Sequence, residues 1–238
     1  MESKQTNSFL KKIQILDGTM LKLIAMISMV FDHVGDVFFP DAVWMRYVGR
    51  IAMPLFAFCI AEGYIHTHNR IKYLIRLGIF ALVSEIPFDL AFERRIGLDH
   101  QNIMLSFFLA VLALMLYDRI CGTEGKSSVP RVLLGCMAVG GMSAVSLLLR
   151  ADYTVFAVLG IWLFYITRRK SQPVRTVFGV GFLSILRTKG YNLATALSAV
   201  PLLLYNGRKG RGMKWLFYGF YPGHLLLLWL IRCVIGSN

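Results

Sequence analysis

Apolar runs long enough to cross a lipid bilayer recur from one end of this sequence to the other, and only short charged links separate them. A bilayer core about 30 Å thick needs roughly 20 apolar residues in a helix, because no water is present there to satisfy free backbone N–H and C=O groups. Such runs fall at roughly 19–39, 44–66, 71–92, 102–119, 130–149, 153–168, 174–187, 190–206 and 213–235. The expected architecture is all-α, a polytopic integral membrane helical bundle of about nine transmembrane helices. It becomes about eight if the short seventh run, VRTVFGVGFLSILRT, is re-entrant. No stretch remains for a soluble domain, so residues 1–238 are read as a single domain.

Composition agrees. Hydrophobic residues make up 56% of the chain and charged residues 16%, with a mean hydropathy of +0.59, outside the balance of soluble proteins. The first run is long, carries charge in its middle and lacks a small-residue cleavage site, so it reads as a mature span rather than a signal peptide. The net charge of +13 would suit nucleic acid, but the basic residues lie in short links instead of on one aromatic-studded face, which argues against that partner. Membrane topology accounts for them better. With the N-terminus in the cytoplasm, that side gathers Lys4, Lys11, Lys12, Lys22, Arg70, Lys72, Arg76, Arg119, Lys126 and Arg131. The links RRKSQPVR and NGRKGRGMK follow on the same side, and nine spans put the C-terminus outside. The four cysteines contain no C-x-x-C pair and are expected to pack rather than to bind zinc, and His66 and His68 lack a third ligand, so no metal is expected.

The informative residues are those an apolar span should not contain. A carboxylate at the middle of a spanning helix costs on the order of 2.5 to 3.5 kcal/mol on insertion scales, so such groups face the bundle interior and usually mark a site. Asp32 and His33 lie deep in the first span, Arg50 and Glu62 in the second, Glu85 and Asp89 late in the third, Asn102 at the start of the fourth and His224 in the last. On the topology above, His33, Arg50, Glu85, Asp89 and Asn102 fit one polar cavity in the outer leaflet. The alternative reading, polar glue between helices, weighs most for Glu62 and Asp89.

Lys22 and His33 are 11 residues apart. On a helix that is about three turns, which places them on one face roughly 16 Å apart. A cation at the cytoplasmic border suits the phosphates of coenzyme A, whose extended arm would bring an acyl thioester to the deeper imidazole. His33 would act as general base or accept the acyl group, with Asp32 or Asp36 orienting the ring and Arg50 receiving the thioester oxyanion. Arg76, Arg208, Lys209 and Arg211 add anion-binding charge on the same side, while Asp36, Glu62, Glu85, Asp89, Asn102 and His224 make up the candidate polar cavity.

In this order and spacing, LKLIAMISMVFDHVG, RYVGRIAMPLFAFCIAEGY, KYLIRLGIFALVSEIPFDL, QNIMLSFFLAVL, YNGRKG and FYGFYPGHL resemble the TraX family, named for a conjugative pilin N-acetyltransferase of the inner membrane. The resemblance implies a multi-pass protein of the bacterial cytoplasmic membrane that moves an acetyl group from cytosolic acetyl-CoA to an acceptor. TraX proteins are also similar to a broader superfamily of transmembrane acyltransferases. In its acyltransferase-3 branch the first span carries an Arg, ten intervening residues and a functional His. Lys22 and His33 repeat that spacing with Lys for Arg, which keeps the charge but loses bidentate geometry. The acceptor stays open among a pilin-like peptide, a glycan and a small molecule, as does an oligomer. Two competing readings remain: a proton-coupled or other secondary transporter, and a non-catalytic assembly factor.

Overall fold

The computed structural model describes residues 13–123, 127–186 and 190–236, and within these the chain is all-α. Lys4, Lys11, Lys12 and Lys126 lie outside the described residues. The helices are α1 (Gly18–Phe38), α2 (Val43–Gly49), α3 (Ala52–His66), α4 (Arg70–Phe88), α5 (Ile103–Cys121), α6 (Val129–Leu148), α7 (Thr154–Ile166), α8 (Gln172–Leu186), α9 (Asn192–Leu197), α10 (Ala199–Leu203) and α11 (Lys214–Gly236).

Each expected span corresponds to a helix or to a pair of helices, and the pairs have a cause. Pro54 has no N–H to donate to the Arg50 carbonyl, so the second span breaks between α2 and α3, where Ile51 N reaches only Val48 O, at 3.3 Å. Pro201 likewise leaves the Leu197 carbonyl without its donor, and the eighth span breaks at Ser198. Continuous through the α2–α3 break, Val43–His66 is one of the segments long and apolar enough to cross a membrane; Ile103–Cys121, Val129–Leu148 and Lys214–Gly236 are the others among the described residues. Leu82, Met137, Leu148 and Ile185 are all largely exposed, an apolar surface that suits lipid and not water.

The chain divides into two compact units, with two of the three divisions inside α3 and α11 and the third at the end of α7. The first unit comprises Met1–Cys59 and Thr167–Phe217. Its organising element is α1, whose Leu21, Ala25, Met26, Ser28 and Met29 recur at helical spacing and are buried. A turn at 39–42 reverses the chain so that α2 packs against α1. Gly35 and Gly49 sit at that crossing: a Cβ on Gly35 would stand 2.9 Å from Met45 Cβ, and one on Gly49 would collide with Asp32. Further along, Gln172 Nε2 on α8 donates to Leu202 O on α10 at 2.8 Å.

The second unit comprises Ile60–Ile166 and Tyr218–Asn238. Its centre is α5, buried around much of its circumference and packed against α4, α6 and α7. Asn102 caps α5 by accepting from Met104 N at 2.9 Å. Gly78 lets α4 approach Phe108, and Gly135 does the same for α6 against Cys121 and Tyr117. Pro87 disturbs the end of α4, and a π-helical turn, Asp89–Glu93, follows it.

Candidate functional site

The first unit places the two halves of the expected chemistry at opposite ends of α1. At the start of the helix Asp17 is the N-cap, its Oδ1 accepting from Thr19 N at 2.8 Å and Met20 N at 2.9 Å. The 206–211 link wraps this end. Leu16 N donates to Leu204 O at 2.9 Å, Asn206 N to Leu16 O at 2.8 Å, Gly18 N to Arg208 O at 2.8 Å, and Thr19 Oγ1 to Arg211 O at 2.9 Å. Gly210 makes the wrap feasible: its φ is +73°, and a Cβ there would stand 2.5 Å from both Asp17 Oδ1 and Thr19 Oγ1. Because main-chain atoms do the pinning, the side chains of Arg208, Lys209 and Arg211 remain exposed. Lys22 follows within about a turn of the helix start, its ammonium 5.0 Å from the centroid of the Phe217 ring.

Eleven residues along α1 from Lys22 is the half-buried His33. Its neighbours along the helix, Asp32 and Asp36, are met by a charge from α2. Arg46 on α2 extends one guanidinium nitrogen, Nη1, to Asp32 O at 2.9 Å, to Asp32 Oδ1 at 3.3 Å and to Asp36 Oδ1 at 3.1 Å. Arg50 caps the same helix, and its guanidinium lies 5.1 Å from the Tyr191 ring, which in turn meets Tyr47 edge-on at 5.0 Å. Asp32, His33, Asp36 and Arg50 therefore belong to one unit, as do Lys22, Arg208, Lys209 and Arg211.

Sequence reasoning passed over Arg46. The visible signal was the repeat of arginines in MRYVGR, four residues apart and hence on one helix face, of which only Arg50 was singled out. Nothing local says that Arg46 meets Asp32; the hairpin turn does that.

The remaining candidates belong to the second unit, each with its own partners. Arg76 on α4 lies 5.9 Å from the Tyr73 ring. Asn102 Nδ2 donates to Ala81 O at 2.8 Å and hydrogen-bonds closely to Glu85 Oε2. Asp89 is buried and accepts from Gly97 N at 2.9 Å, closing the link after the π turn. Glu62 pairs with His66 on its own helix at 3.4 Å. The His224 ring is stacked on Phe220 at 4.8 Å, with Nδ1 2.9 Å from Phe220 O.

A second cluster, also unforeseen, gathers on Asp118 near the end of α5. Its carboxylate accepts from Tyr64 Oη at 2.9 Å, from Arg70 Nη1 at 2.8 Å and from the Tyr165 hydroxyl. The Arg70 guanidinium also lies 4.4 Å from the Tyr64 ring. Asp118 precedes Arg119 at the edge of an apolar run, where a charge ordinarily reaches for the interface, so its sequence setting carries no sign of burial.

The TraX protein family matches residues 17–232, which include every element of both units from α1 into α11. The chain belongs to the TraX family. It is thus a membrane protein by family as well as by its apolar helices. Among curated relatives, the probable fimbrial assembly protein FimC, serogroup H1, of Dichelobacter nodosus is 30% identical over 237 residues, covering 87% of this chain and 92% of that protein. An uncharacterized protein of Rickettsia prowazekii (strain Madrid E) is 33% identical over 90 residues, 38% of this chain and 33% of the relative. No solved structure matches this TraX protein.

Proposed function

We propose that this TraX protein is a pilus-associated membrane acetyltransferase that carries an acetyl group from cytosolic acetyl-CoA to an amine or hydroxyl of an acceptor on the outer side of the bacterial cytoplasmic membrane. The observation that carries the proposal is the layout of α1: a basic, glycine-shaped loop and Lys22 at one end, and His33 about three turns away on the same face, next in sequence to the Asp32 that Arg46 contacts. In this reading the N-terminus is cytoplasmic, so Lys22, Arg208, Lys209 and Arg211 meet the phosphates of the donor as point charges and forks. His33 Nε2 or Nδ1 takes the proton of the acceptor nucleophile as it attacks the thioester carbonyl. Arg50 receives the oxyanion of the tetrahedral adduct, whose collapse expels the coenzyme A thiolate, and the imidazolium returns its proton to that sulfur. The family name and the fimbrial relative make a pilin-like peptide the first acceptor to test.

The test uses purified protein in lipid nanodiscs with isotopically labelled acetyl-CoA and envelope peptides from a strain lacking the gene. Transfer is expected with the wild type, and His33→Ala should lower it by about 10²-fold or more while the protein stays monodisperse. Undiminished transfer by that variant removes His33 from the chemistry. A second reading is favoured by the name of the fimbrial relative, which says assembly and not transfer. On it the protein is a non-catalytic assembly factor, and it would co-purify with a pilus complex while ignoring acetyl-CoA.

A further inference from the structure

We infer that Arg46 is a positioning residue for the acyl-transfer site, a clamp that holds the turn of α1 carrying His33 in register with the turn of α2 carrying Arg50. The inference rests on the function proposed for His33 and Arg50, but its geometry stands independently. Asp32 and Asp36 are one helical turn apart on α1, an arrangement in which like charges destabilise a helix, the more so away from water. Arg46 answers both from the neighbouring helix with one nitrogen, and also takes the main-chain carbonyl of Asp32. Gly49 on the same short helix lies so close to Asp32 that no side chain fits between them. The peptide unit next to His33 is thereby held from a second element, by polar contact at Arg46 and by steric contact at Gly49.

Arg46 lies in α2 and Arg50, four residues on, is its C-cap, a spacing that keeps the two on one side of the helix axis. A shift of α2 along α1 would move the oxyanion-binding guanidinium against the base, and a misplacement of about 1 Å can cost on the order of 10²-fold in rate. The Asp32–Arg46–Asp36 contacts oppose that shift. Lysine keeps the charge but offers a single ammonium on a flexible stem, so it can meet one or two of the three acceptors at a time.

The experiment compares wild type, Arg46→Gln and Arg46→Lys in nanodiscs by two readouts. The first is steady-state acetyl transfer. Arg46→Gln is expected to lower kcat about 10- to 100-fold with the KM for acetyl-CoA changed less than about twofold, and Arg46→Lys to recover part of kcat. The second readout is the rate at which diethyl pyrocarbonate modifies His33, followed by peptide mass spectrometry. It should differ from wild type by about threefold or more in Arg46→Gln and return toward it in Arg46→Lys. Unchanged kcat together with an unchanged His33 rate overturns the clamp, as does a KM effect with kcat intact. If Arg46→Gln does not fold, the Arg46→Lys protein decides by the same two readouts, since wild-type values in both would overturn the inference. Absence of transfer by the wild type is a failure of the proposed function, and the His33 modification rates still judge Arg46 on their own.

Discussion

Asp118 and Asp32 are both aspartates in largely apolar helices, and the chain treats them in different ways. Asp118 is closed: two tyrosine hydroxyls and an arginine, delivered by α3, α4 and α7, converge on a carboxylate whose side chain is 5% exposed. Such a group is fully engaged and ties four helices of the second unit together. Asp32 is more open, at 13%, and the arginine that meets it is divided with Asp36, whose side chain is 47% exposed. One guanidinium nitrogen is thus shared between two carboxylates on successive turns of α1. The same residue type, equally improbable in an apolar run, is enclosed by its partners in one unit and shares a single cation with a second carboxylate in the other.

That contrast can be broken most forcefully at Asp118. Asp118→Ala strands Arg70 and two buried hydroxyls, and a loss of about 3 to 5 kcal/mol is expected, seen as a large fall in the thermal midpoint of the detergent-solubilised protein. A midpoint close to wild type would show that the carboxylate does not tie those helices together. A smaller change is expected from Gly49→Ala, whose added methyl must push α2 off Asp32 at a cost of about 1 to 3 kcal/mol. This variant should lose acetyl transfer more than it loses stability, because it disturbs the Asp32 cluster and leaves Asp118 untouched. Equal retention of both properties would mean that α1 and α2 separate without consequence.

The smallest effect is expected at the exposed basic loop. Replacing Arg208, Lys209 and Arg211 together by Gln should raise the KM for acetyl-CoA several-fold at low salt and flatten its dependence on ionic strength, with the thermal midpoint unchanged. The midpoint is spared because the loop is anchored through Arg208 O and Arg211 O, not through its charged groups. A KM that still climbs steeply with salt in the triple variant would place the donor phosphates elsewhere.

Much of the molecule was legible before folding. Hydrophobic run length identified the helices because a membrane leaves the backbone no other way to satisfy itself, a constraint that acts within about 20 residues. The breaks at Arg50 and Ser198 were less plain, although Pro54 and Pro201 announce them once one asks which carbonyl loses its donor. Asn102 was read only as an intramembrane polar group, and it proved to be the N-cap of α5 as well. Its position directly before an apolar run is the cap signature.

The sequence by itself determined the helical class, the family, and the placement of Lys22 and His33 on one face of one helix, all of which follow from local period and from short motifs. Only the tertiary structure decided who answers the buried charges. Asp118 finds Tyr64, Arg70 and Tyr165 from 47 to 54 positions away along the chain, and Thr19 meets Arg211 across 192. Helix period fixes direction around an axis but not which neighbour lies there. That choice belongs to the packing, set by glycines such as Gly49 and Gly210 whose missing side chains let distant segments touch.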